Sequence, residues 1–165
     1  MFWLTLTSLF VIVAFQNCGG AGSSAPTTAS GESIIGKTAD YSRVVFDAGL
    51  EAPDLSSGRL DVNIATGAMI LTSSTTTKQC SVEQDRLTAL QDLFAVSHIC
   101  QPYVPPGTAM CMAIGLADVE LIGSSSVVYL RPTTCDFGVF LCDGQDQILR
   151  DKLADLKANP PAGCQ

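Results

Sequence analysis

Residues 59–77 read RLDVNIATGAMILTSSTTT, and this stretch decides the fold class. Leu60, Val62 and Ile64 alternate with Asp61, Asn63 and Ala65, the two-residue period of a strand with one face in the core. Thr66-Gly67 breaks the alternation with a turn signal, the glycine supplying backbone freedom that a side chain restricts. Ala68 to Thr77 resumes as a partner strand rich in β-branched residues, so the sequence predicts an antiparallel hairpin over 59–77.

Working outward, Tyr41 to Phe46 reads as a strand ahead of the hairpin. Behind it, Ser81 and Gln84 have capping-box spacing before Leu87, Leu90, Leu93 and Phe94, which predicts a helix over 82–96. Pro102, Pro105 and Pro106 then make 101–108 a stiff surface loop. The order repeats downstream. Leu116 to Ile122 turns at Gly123-Ser124-Ser125 into Val127 to Arg131, and a second helix follows Cys142. Asp143 is its expected N-cap, Asp146 suits its first turn, Leu149, Leu153 and Leu156 form its buried stripe, and Asn159-Pro160-Pro161 stops it.

The fold class expected is therefore α+β, a small antiparallel sheet with two helices in a single domain, 34–165. Cys80 precedes Leu87 by seven residues, as Cys142 precedes Leu149, which suggests a ββα duplication with halves 34–104 and 105–165.

The charge pattern excludes one class of partner. The chain carries a formal charge of −7, and its nine Lys and Arg are scattered singly from Lys37 to Lys157. Phosphate backbones need clustered cations, so no nucleic-acid partner is expected.

The N-terminus carries the address. Phe2 to Phe15 is apolar except for Thr5, Thr7 and Ser8, and Glu32 is the first charged residue. As a helix it would span about 21 Å, short of the roughly 30 Å of bilayer hydrocarbon, which favours a signal-peptide core over a permanent span. Phe15-Gln16-Asn17-Cys18 followed by a Gly, Ser, Ala, Thr and Pro run to Gly31 resembles the lipobox and tether of bacterial lipoproteins, in a relaxed version without Leu three positions before the Cys. That resemblance implies a signal peptide at 1–17, an acylated Cys18 and a lipidated flexible tether at 18–33. It also implies a partner in the membrane through the lipid anchor, and Gly19 after the Cys implies outer-membrane sorting. Ordinary secretion with cleavage after Ser23-Ser24-Ala25 is the competing route, opposed by Pro26 just beyond the cut.

With Cys18 set aside for lipid, Cys80, Cys100, Cys111, Cys135, Cys142 and Cys164 remain, an even set that reads as three disulfides in an oxidising compartment. Cys80 and Cys100 flank a helix about 21 Å long and cannot pair across it. Cys111 and Cys135 lie nearly symmetric about the Ser124 turn and are the favoured pair, the other pairings being open. No Cys-x-x-Cys occurs, and although Met110, Cys111, Met112, His98 and Cys100 are soft donors, no metal and no cofactor are expected.

Catalytic sets are scarce. His98 is the only histidine and no Gly-x-Ser-x-Gly elbow is present, so no catalytic residues are assigned. Asp118 and Glu120 fall on one strand face and read as its solvent side. The loop Pro102, Tyr103, Val104, Pro105, Pro106 is the candidate recognition element, because prolines present an exposed Tyr at little entropic cost. The functional expectation is a nonenzymatic cell-envelope lipoprotein that binds an envelope protein or other component. An envelope hydrolase working through acidic residues, or a secreted enzyme inhibitor, are the alternatives.

Overall fold

Alternating strands build the centre of the molecule, as the quoted stretch requires. The computed structural model describes residues 32–47, 58–102, 118–130 and 138–164. Strands β1 (Ser33–Lys37), β2 (Tyr41–Asp47), β3 (Arg59–Asn63), β4 (Ala68–Thr72), β5 (Thr77–Ser81), β6 (His98–Gln101), β7 (Val119–Gly123), β8 (Val127–Leu130) and β9 (Phe140–Leu141) accompany two helices, α1 (Gln84–Val96) and α2 (Gln145–Ala158). The fold is α+β with antiparallel sheets. Instead of one small sheet there are two, a six-stranded one ordered β5-β4-β3-β2-β7-β8 and a three-stranded one ordered β1-β6-β9. A parallel bridge from Leu130 to Val139 joins them.

One face of the larger sheet supplies Val44, Phe46, Leu60, Val62, Met69, Leu71, Val119, Leu121 and Leu130 to the core. The helices cover that face with Leu87, Leu90, Leu93 and Phe94 from α1 and Leu149, Leu153 and Leu156 from α2, the stripes the sequence predicted. Each such side chain, fully buried, contributes roughly 1.5–3 kcal/mol of transfer free energy. Thr38 is wholly buried, and its hydroxyl lies 2.7 Å from the carbonyl oxygens of both Phe94 and Ser97, satisfying the end of α1.

Several local expectations are corrected. The strand expected over 68–77 breaks at a turn, where Ser73 N–H donates to Thr76 O, and chain beyond it forms β5. Ser81 is therefore still a strand residue opposite Ala68, and Val82 N–H donates to Gly67 O, so α1 begins at Gln84 without a side-chain cap. Asp143 does not cap α2. It has a left-handed backbone (φ 56°), the N-cap position is Gly144, and it is Asp146 whose carboxylate accepts the Leu141 N–H at 3.4 Å.

Among the described residues two disulfides are formed, Cys80–Cys164 and Cys100–Cys142, and the favoured partners Cys111 and Cys135 lie outside those residues. Each bridge ties the cysteine ahead of one helix to the cysteine behind the other. The strands do not follow that reciprocity: β5 extends the large sheet, whereas β9, its counterpart ahead of α2, pairs with β6 in the small one. The repeated order thus extends to the antiparallel hairpins β3–β4 and β7–β8, while the strand ahead of each helix pairs in a different sheet.

Candidate functional site

Strand register shows where the loops leave the fold. Ser33 pairs with Gln101, Cys100 with Phe140, Leu130 with Val139, Val119 with Leu130, Phe46 with Val119 and Asp47 with Arg59. These pairs form one row along one rim of the joined sheets. Segments 1–31, 48–57, 103–117 and 131–137 all join the described fold at that rim. The opposite rim carries the short connections Thr38–Asp40, the turn after Asn63 and the turn after Gly123, together with the ends of β5 and β6 that α1 joins. Asn63 Oδ1 accepts the Ala65 and Thr66 N–H groups there, and Gly67 at φ 73° completes the turn.

This row relates two expectations that the sequence left separate. Of the candidate loop only Pro102 is described. It follows Gln101, whose partner Ser33 directly follows the point where the N-terminal segment enters. Tyr103, Val104, Pro105 and Pro106 lie outside the described residues, as does Cys18. The segments bearing Cys111 and Cys135 meet the fold at Asp118 and Leu130, on either side of the Val119–Leu130 pair.

A charged cluster braces the same rim. Arg150 on α2 donates from Nε to Asp146 at 2.8 Å and is ion-paired through Nη1 with Asp118, while the Asp47 N–H donates to the Asp118 carbonyl at 2.8 Å. Burial pushes the Asp146 carboxyl up from its ordinary value, opposed by the Leu141 N–H, and pushes the Arg150 guanidinium down. Asp118 Oδ1 and Arg150 Nη2 are buried without a hydrogen-bond partner among the described residues. The cluster pins the start of β7 to α2.

Asp118 and Glu120 therefore do not lie free on a solvent face. Asp118 is engaged by Arg150 of α2, and Glu120 pairs with Arg59 at 3.7 Å. Arg43 pairs with Asp61 on the face of the sheet that points away from the helices, where hydrogen bonding to Asp61 raises the Arg43 pKa. Val45 sits between Asp61 and Glu120 on that face and is fully buried.

His98 opens β6 opposite Lys37, and Cys100, two residues on, is wholly buried and bonded to Cys142, which removes its sulfur as a nucleophile. Among the described residues no group of three or more His, Cys, Asp or Glu could hold a metal ion. No helix among them is long and apolar enough to cross a membrane. Open hollows among the described residues include one of about 210 Å³ between the helices beside Arg86 and Asp155 and one of about 320 Å³ beside Tyr41, Ile64 and Phe94. Arg86 is already held by Glu83, Asp155 and the Asn159 carbonyl.

The sequence missed the shared rim, because a row is a property of register between strands far apart in the chain. No protein-family model matches the chain, and no curated protein or solved structure matches it either.

Proposed function

We propose that this chain is a nonenzymatic cell-envelope lipoprotein, acylated at Cys18 and tethered through residues 19–31, whose domain binds an envelope component through the loop-bearing rim. The observation that carries the reading is the row of strand ends. Three segments leave the fold along the rim at which the tether enters, and the one following Pro102 leaves from the strand paired with the tether's first strand. Loops gathered at one end of a rigid sheet are a common way to position binding residues. Two disulfides and the Asp118–Arg150–Asp146 cluster supply that rigidity. Disulfides also suit an oxidising compartment beyond the inner membrane.

The tether sets the geometry. A Gly/Ser-rich chain of this length has a root-mean-square span of about 20 Å. Because it enters at the loop rim, the loops are held close to the anchoring membrane and the short-turn rim faces away. The third disulfide of the reading, Cys111–Cys135, would join the two segments that flank the Val119–Leu130 pair.

Photo-crosslinking in intact cells tests this. The full chain carries a benzophenone amino acid in place of Tyr103 or, as control, in place of Ser125 in the opposite turn. A discrete adduct from position 103 and none from 125 is expected. Equal labelling from both, or none from 103, contradicts the reading.

A further inference from the structure

Sheet edges are exposed hydrogen-bonding templates, and this fold treats its edges differently. At β8 the edge is met by Val139 through its bridge with Leu130. At β1 an extra residue, Ile35, interrupts the register between Ile34 and Gly36, a bulge that spoils regular pairing. β5 is regular and has no strand on its outer side among the described residues, not even an isolated bridge.

The hydrogen-bond parity of β5 can be worked out. Ser73 N–H donates to Thr76 O and Val82 N–H to Gly67 O, so the bonded pairs between them are Leu71 with Lys78 and Met69 with Cys80. The backbone groups of Thr77, Gln79 and Ser81 therefore point away from β4. The same three residues have exposed, uncharged, hydrogen-bonding side chains. Cys80, on the core side, is bonded to Cys164, and a methyl on Gly163 would sit 3.6 Å from the Cys80 Cβ, so the C-terminal turn backs the strand and stiffens it. A stiff edge loses little entropy on pairing.

We infer that the edge of β5 is a self-pairing surface that joins two copies of this chain into one continuous antiparallel sheet. A two-fold axis at Gln79 sets Thr77 opposite the second copy's Ser81 and Gln79 opposite its own counterpart. That register matches faces on both sides and forms about six backbone hydrogen bonds. A register shifted by one residue would turn every side chain to the wrong face. The second copy is favoured over an unrelated strand because one sequence satisfies both sides, with Thr, Gln and Ser meeting each other and no charge opposed.

The test uses the full chain in detergent micelles, with mass measured by analytical ultracentrifugation up to about 200 μM, where a small interface still populates its complex. The unsubstituted chain is expected to dimerise. Gln79→Lys and Gln79→Glu, each placing like charges across the axis, are expected to be monomeric alone and to dimerise when mixed in equal amounts. Gln79→Pro removes an outward N–H without touching the β4 ladder and is expected to stay monomeric while folded by circular dichroism. A monomeric unsubstituted chain overturns the inference, as do charge variants that dimerise separately or fail to pair when mixed.

Discussion

The two disulfides make a quantitative prediction that their sequence separations alone would get wrong. Cys80 and Cys164 are 84 residues apart and Cys100 and Cys142 are 42 apart. Taken singly, loop entropy assigns them about 4.6 and about 3.9 kcal/mol of stabilisation. They are nested, however. With Cys100–Cys142 intact, opening the outer bridge frees only the stretches 80–100 and 142–164, a loop of about the same length as the inner one, so the outer bridge contributes about 3.9 kcal/mol while the inner one is present, and closing the thermodynamic cycle leaves about 3.2 kcal/mol for the inner bridge while the outer one is present. Cys100, Cys142 and Cys164 are almost wholly buried, so the substitutions should be paired Cys→Ala, because a buried serine hydroxyl adds a cost of its own. Urea denaturation of the full chain in micelles, followed by circular dichroism, should show both double-alanine variants destabilised by about 3–4 kcal/mol, the Cys80–Cys164 variant by about 0.7 kcal/mol more than the Cys100–Cys142 variant, a large share of the 5–15 kcal/mol typical of a domain. A cost under about 1 kcal/mol for either variant, or a larger loss from the Cys100–Cys142 variant than from the Cys80–Cys164 variant, refutes the nested-ring reasoning.

Gly67→Ala should lose about 1–3 kcal/mol in the same assay, since φ is 73° and the new methyl would stand 2.8 Å from Leu87 Cδ2; no loss would show that the turn relaxes freely. Arg150→Met should cost about 3 kcal/mol by leaving Asp118 and Asp146 without their cation, and adding Asp118→Asn and Asp146→Asn should recover much of it. Because burial raises the Asp146 carboxyl, the folded chain binds that proton more tightly than the unfolded one. Unsubstituted protein should therefore lose stability relative to Asp146→Asn as pH rises through the interval just above the ordinary aspartate value, measured as melting temperature between about pH 3 and 6; the opposite slope would show that Arg150 dominates.

Legibility in the sequence followed the range of the forces. The β2, β3 and helix stripes were readable because Leu60, Val62, Leu87, Leu90, Leu149 and Leu153 recur at the period of their own element. The small sheet was not readable. β6 and β9 are short, and their burial depends on each other and on β1, more than sixty residues upstream of β6. Ser81 carried a capping signal that strand pairing with Ala68 overrode, and Asp143 carried one that its left-handed backbone redirected. At the rim, Asp118 read as a solvent-facing strand residue because only tertiary packing brings Arg150 to it. Separation across a helix correctly ruled out pairing of Cys80 with Cys100, yet no local pattern specifies the reciprocal partners they take.

The central claim is that Cys18 differs in kind from the cysteines of the folded domain. Intact mass of the chain extracted from envelope membranes, with peptide mapping under non-reducing conditions, measures this directly. The account predicts a mature chain beginning at an acylated Cys18, with Cys80 linked to Cys164 and Cys100 to Cys142. An unmodified Cys18, whether in an uncleaved chain or in a leader cut after Ala25, contradicts it.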